Sequence, residues 1–200
     1  MTDLQKILEF WFGEIENGFC IEDRDEFWFM SDKKTDIMIK KDFEHIVLKA
    51  ADGRLSAWEN SPPGSLALII LLDQFPRNIY RGTPNAFQFD ENARRICKHG
   101  LLEGMDKELE LIQMCFYHMP LQHSEDIKDQ DLCMDLYNRI KEAVSAKQID
   151  KLNNFFKYAR IHRDIIERFG RFPHRNKILN RKSTRQELDF LFKEEYRFSQ

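Results

Sequence analysis

The feature that most constrains this chain is the stretch Leu66–Arg81, LALIILLDQFPRNIYR. Leu66 to Leu72 is an unbroken apolar run, and it gives way abruptly to Asp73, Gln74, Phe75, Pro76, Arg77 and Asn78. Pro62 and Pro63 precede the run, and Pro76 marks its predicted end. A helix over about residues 62–75 spans roughly 20 Å. It would be apolar on every side, which predicts a central, buried helix. The polar cluster at its end must then be satisfied by other parts of the chain.

The remaining sequence reads as more helix. Residues 3–12 place Leu4, Ile7, Leu8 and Trp11 at helical spacing. Residues 13–31 are looser, broken by Gly13 and Gly18, with an aromatic knot at Phe27, Trp28 and Phe29. Ile39, Phe43, Ile46, Val47 and Ala50 form one stripe, which Gly53 stops. Thr83-Pro84 is an N-cap followed by proline, and it opens a predicted helix that Gly100 ends. Asp106 is expected to cap a second buried helix running to Tyr117, which Pro120 separates from an amphipathic helix over about 123–145. Another helix follows over 149–169. A Thr184/Glu187 capping box then precedes Leu188, Phe190, Leu191 and Phe192. No β-branched alternating run interrupts the pattern. The prediction is one all-α domain over residues 1–200, an antiparallel array of about seven to nine helices with short loops.

Composition bears on what such a fold can do. Apolar content of 42% and charged content of 32% suit a globular protein. The length allows about 70% of the unfolded surface to be buried. A net charge of −3 gives no general attraction to nucleic acid or anionic membrane. No apolar run reaches the roughly 18 residues of a membrane span. The N-terminus lacks the pattern of a signal peptide, so the expected location is cytoplasmic. Cys20, Cys97, Cys115 and Cys133 form no C-x-x-C pair and read as small apolar side chains in a reducing compartment.

One string echoes another. Phe75-Pro76-Arg77-Asn78 returns as Phe172-Pro173-His174-Arg175-Asn176 with one inserted residue. Each copy is followed by an Arg and a helix-opening Thr: Arg81 and Thr83, then Arg181 and Thr184. A helix stop used twice accounts for this, with proline ending the helix and Asn tolerating turn geometry.

Three segments also carry a resemblance: LALIILLDQFPRNIYRGTP, Tyr117-His118-Met119-Pro120-Leu121-Gln122-His123-Ser124-Glu125, and Arg168 to Asn176. With Leu8 to Gly13, Phe27-Trp28-Phe29 and the Gly53, Leu55, Trp58 stretch, they resemble a bacterial family known as domain of unknown function 924. The resemblance covers nearly the whole chain. It implies an all-α domain with tetratricopeptide-like (TPR-like) superhelical or bundle packing, and it implies no activity. Gln122 stands where Glu is expected, and Asn180 where Gly is expected.

The candidate site gathers around helix ends. Asp73 follows seven apolar residues, and both desolvation and the negative end of the helix dipole oppose its charge. It should therefore pair with Arg77 or with an Arg of 168–175. His162 falls on the apolar face of its helix, while His118 and His123 bracket Pro120. Their spacing matches no ligand motif, so no metal is assigned, and no cofactor is assigned. From Arg168 to Arg185 there are seven basic residues and no acid, opposed by Glu125, Asp126, Asp129 and Asp131.

The leading reading is a polar pocket for a small anionic ligand. Its binding residues would be Asp73, Gln74, Arg77, Asn78, His162, Arg171, Arg175 and Asn176. If the protein is an enzyme, His118, His123 or His174 would act as general acid or base. The alternative is a TPR-like scaffold that binds a peptide or protein partner through the aromatic knot. RNA binding through residues 168–185 ranks third.

Overall fold

The computed structural model describes residues 1–192. Helix dominates them. The helices are α1 (Asp3–Phe12), α2 (Asp25–Phe29), α3 (Lys33–Ala51), α4 (Pro62–Ile69), α5 (Phe75–Ile79), α6 (Asp90–Leu102), α7 (Leu111–Gln122), α8 (Ile127–Ala143), α9 (Ala146–Phe169) and α10 (Arg185–Leu191). The all-α class predicted from periodicity holds. One small element departs from it: strands β1 (Ile15–Glu16) and β2 (Phe19–Cys20) pair antiparallel. Their turn is Asn17-Gly18, with φ of 53° and 87°. Asn-Gly is the pair that a two-residue hairpin favours, so the signal for this turn is present in the sequence.

Among the described residues, Met1–Pro120 make up one compact unit, and residues 121–192 a second. The first is organised around α4, as the apolar run predicts. Leu66 through Leu72 are each at most 2% exposed. α1 and α6 pack against α4. Trp11 meets Phe75 and Phe116 edge-on, with ring centroids 5.5 and 5.7 Å apart.

Several predicted boundaries move. Pro76 does not end the central helix. α4 runs through a π turn (Ile70–Gln74) into α5, with Phe75 N–H donating to Ile70 O. Proline lacks the N–H, and its ring crowds the carbonyl four residues back. Widening the helix by one residue relieves both problems without breaking it. Asp73 therefore lies inside a continuous helix rather than in its last turn.

Gly100 does not stop α6, which continues to Leu102. A Cβ at Gly100 would stand 1.7 Å from the Tyr117 hydroxyl, so glycine is there to admit that ring. The Thr83-Pro84 start opens a short 3-10 turn, Pro84–Phe87, before α6 begins at Asp90. Asp106 caps no helix; it lies within a 3-10 turn, Met105–Glu108, and is buried. Pro120 lies inside α7, not between helices.

In the second unit α8 and α9 form an antiparallel hairpin. Arg163 near the end of α9 bonds Asp131 near the start of α8, at 2.8 Å, and Tyr137 meets Phe156 at 5.5 Å. Ile165, Ile166, Phe172 and Phe190 form the core beyond it, joining α9, the following turn and α10. The predicted Thr184/Glu187 capping box is formed at the head of α10. Asn180 has φ 57°, a left-handed turn position that Asn tolerates better than other side chains. Asn in place of the expected Gly therefore keeps the turn.

Candidate functional site

The predicted site residues divide between the two units. In the first, the π turn buries Asp73 completely and leaves Gln74 6% exposed. Gln74 Nε2 donates to Asp73 Oδ2 and also reaches Met119 Sδ at 3.2 Å. Arg77, one turn on, lies 3.4 Å from Asp73 Oδ1 and donates to the Asp73 carbonyl. Its guanidinium also grips Asp90 with two bonds, of 3.0 and 3.1 Å. Burial works against the charge on Arg77, but Asp73 and Asp90 together outweigh it and raise its pKa above the ordinary value. The expected Asp73–Arg77 pair is therefore present. Asp90, which no sequence pattern singled out, completes it.

Asn78 and Arg81 are occupied in the same way. Asn78 Nδ2 donates to Asp36 Oδ1 at 2.9 Å, and Arg81 clasps both oxygens of Asp36 at 2.7 and 2.9 Å. In the first unit, the polar half of the Leu66–Arg81 stretch thus consists of internal ion pairs.

His118, on α7, is 1% exposed, and its Nε2 lies 3.1 Å from Asp106 Oδ2. Next to it, the Tyr117 hydroxyl bonds Ser65 Oγ at 2.7 Å, and burial pushes that hydroxyl up to about 12. Trp28 of the aromatic knot is half-buried, with its indole N–H donating to Trp11 O at 2.9 Å and its ring 4.7 Å from Phe116. Phe29 and Met30 beside it are 39% and 62% exposed.

The second unit is where separate sequence motifs meet. His123 follows the end of α7, His162 projects from α9, and His174 and Arg175 lie in the 3-10 turn Pro173–Arg175. Phe172 joins them. The His123 and His162 rings are 6.1 Å apart, His162 and Phe172 5.2 Å, and Phe172 and His174 5.4 Å. The Arg175 guanidinium lies over the Phe172 ring at 4.5 Å. His162 and Arg175 are buried, as the apolar-face position of His162 predicts; His123 and His174 are half-buried.

Two other basic residues of this segment, Arg171 and Arg181, hold the turn in place. Arg171 makes a bidentate pair with Glu187, at 2.6 and 2.8 Å, and reaches Lys182 O at 3.0 Å. The Arg171 hydrogen bonds hold the Glu187 carboxyl down to about 2. Arg181 grips Glu125 with bonds of 2.7 and 3.0 Å, and Glu125 also accepts the Phe172 N–H at 2.8 Å. Burial alone would raise the pKa of Glu125, but these donors lower it. Arg168 stacks on Phe169 at 4.7 Å. Asn176, fully buried, donates through Nδ2 to Ser183 Oγ at 3.1 Å. The opposition of Glu125 to the basic stretch, read from charge alone, is thus realised as a specific pair. Glu187 was read only as a helix cap, and its second role toward Arg171 left no local signal.

Among the described residues, no group of three or more His, Cys, Asp or Glu is arranged to hold a metal ion. None of the described helices is long and apolar enough to cross a membrane.

The fold is shared with a solved structure, a protein of unknown function from Agrobacterium tumefaciens. The two superimpose with a TM-score of 0.80 at 33% identity, over 94% of this chain and 96% of that one. No curated protein matches the sequence. A family model described as a bacterial protein of unknown function matches residues 7–195, nearly the whole length. The chain therefore belongs to that bacterial family, DUF924.

Proposed function

We propose that the second unit binds a small anionic ligand, a carboxylate or a phosphate, at the cluster of His123, His162, His174 and Arg175. One observation carries this reading. Two imidazoles, of His162 and His174, and the Arg175 guanidinium gather around the single ring of Phe172, and the His123 ring lies against His162, so that three chain segments meet there. Arg171 and Arg181, which stand close by in sequence, are each matched to a carboxylate of the chain itself. Their job is to fix the turn that carries His174 and Arg175. A guanidinium supplies bidentate donors to an oxyanion. Imidazoles add charge below their ordinary pKa of about 6.5.

Calorimetric titration of the full chain with inorganic phosphate and with succinate, at pH 6 and pH 8, tests this. The expected result is saturable binding at pH 6, weaker at pH 8. Arg175→Gln should abolish it and His174→Gln should reduce it. No heat of binding with either ligand at either pH would overturn the reading.

A second reading, docking of a peptide or protein partner, is favoured by the exposure of Phe29 and Met30 beside the anchored Trp28. It predicts that Phe29→Ser plus Met30→Ser abolishes partner binding and leaves anion binding unchanged.

A further inference from the structure

Three buried side-chain oxygens in the second unit accept no hydrogen bond within the described chain: Gln122 Oε1, Gln130 Oε1 and Asn176 Oδ1. The residues are 4%, 1% and 0% exposed. Buried acceptors are normally satisfied, and each exception calls for a donor. Two of the three amides have their orientation fixed by chemistry. Gln130 Nε2 donates to Gln122 O and to Ser124 O, both at 2.7 Å. Both partners are carbonyls, which only accept, so the amide nitrogen must face them and the oxygen must point elsewhere. Asn176 Nδ2 faces Ser183 Oγ and also serves the Glu187 carboxylate, which likewise only accepts. Its oxygen too is turned away from the bonds that hold it.

These oxygens belong to residues that adjoin members of the His/Arg cluster, in the chain or through a hydrogen bond to its neighbours. The Gln130 amide rests on the carbonyls of residues 122 and 124, which bracket His123, and Gln122 is its neighbour in the chain. Asn176 directly follows Arg175. Where the cluster supplies donors and positive charge, the residues adjoining it supply acceptors. A bare anion without donors, such as sulfate, would satisfy only the first set.

Resting on the anion-binding reading above, we propose that the ligand of this site carries hydrogen-bond donors beside its acid group. That makes it a small hydroxy acid or amino acid rather than an acid alone. The hydroxyl or ammonium meets the amide oxygens, and the carboxylate meets Arg175 and the imidazoles.

Succinate, malate and aspartate share one carbon skeleton and differ in carrying no donor, a hydroxyl or an ammonium. Titrating each into the full-length chain at pH 6 therefore isolates the donor. The expected result is that malate or aspartate binds about tenfold tighter than succinate or better, the worth of about one well-made hydrogen bond. In Gln122→Met, a change that breaks no hydrogen bond described above, that advantage should shrink while succinate affinity holds. A preference that survives Gln122→Met supports the proposal with Gln130 or Asn176 as the acceptor. Equal affinity for all three ligands in the unaltered protein overturns the proposal and leaves the anion reading standing. No binding of these or of phosphate overturns both. The comparison among ligands needs no variant, so a misfolded substitution cannot blur it.

Discussion

Two nearly identical strings in this chain take up different structures. Phe75-Pro76-Arg77-Asn78 lies within a continuous helix, and Phe75 is helical before its proline, with φ −59° and ψ −38°. Residues preceding proline normally avoid that conformation, and the π turn at Ile70–Gln74 is the accommodation. Phe172-Pro173-His174-Arg175-Asn176 instead follows the end of α9 at Gly170, and Phe172 is extended, with φ −87° and ψ 106°. The same proline is thus tolerated in one copy and obeyed in the other. What decides is the burial of the preceding helix. Leu66–Leu72 is enclosed on all sides, and stopping the helix there would leave carbonyls with no partner in the core.

The arginines diverge in parallel. Arg77 is neutralised by Asp73 and Asp90, whereas Arg175 lies on an aromatic ring among histidines. The first braces the fold, and the second belongs to the cluster proposed above to bind a ligand. Yet the two downstream arginines behave alike: Arg81 clasps Asp36 and Arg181 clasps Glu125, each with two bonds. Similar strings therefore transmit the bracing of a turn but not the role of its centre.

Substitutions at four positions test that contrast. The largest effect is expected at Arg77. Arg77→Ala leaves the buried Asp73 and the partly buried Asp90 without their cation and should cost about 3–5 kcal/mol in chemical denaturation. Arg175→Ala should cost clearly less. Equal losses would erase the distinction between a structural and a ligand-directed arginine.

A smaller effect is expected at the tether of the second turn. Glu187 titrates at about 2 when folded, below the ordinary 4.5. A lowered folded value stabilises the native state above the unfolded pKa, and that stability is lost as pH falls through the folded one. Glu187→Gln should therefore lower the melting temperature at pH 7 by about 2–4 °C. The gap from the unaltered chain should close between pH 4.5 and about 2. A gap that persists at pH 2 would mean that the carboxylate charge is not what holds the turn.

The smallest effect lies at Asn180, with its left-handed φ of 57°. Asn180→Gly should be nearly neutral and Asn180→Ala should cost about 1 kcal/mol by denaturant titration. Equal stability of the two would show that the turn after Asn176 relaxes, and that His174 and Arg175 are less firmly placed than their bonds indicate.

Much of the fold was legible in the sequence, because helix periodicity and capping are local signals. The stripes of α3 and α9, the Thr184/Glu187 capping box and the buried Leu66–Leu72 run all follow from spacing and polarity alone. The failures share one cause. Pro76, Gly100 and Pro120 were each read as stops by intrinsic propensity, yet each lies within a helix. At Gly100 the reason is the Tyr117 hydroxyl, 17 positions away in sequence, which occupies the space a side chain would need. Propensity is a weak preference that packing overrides.

The candidate site was legible only as an inventory. Histidines and arginines at helix ends could be named one by one, and so could the need of Asp73 for a cation. Their partners could not: Asp90 for Arg77, Asp106 for His118, Asp36 for Arg81 and Glu187 for Arg171. Hydrogen bonding acts over about 3 Å in space and leaves no trace in sequence spacing once the chain has turned. By itself the sequence determined the class of fold, the central helix and the residues worth watching. The tertiary structure decided which charges are used up inside the protein, that His162, His174 and Arg175 share the ring of Phe172, and that His123 joins them through His162.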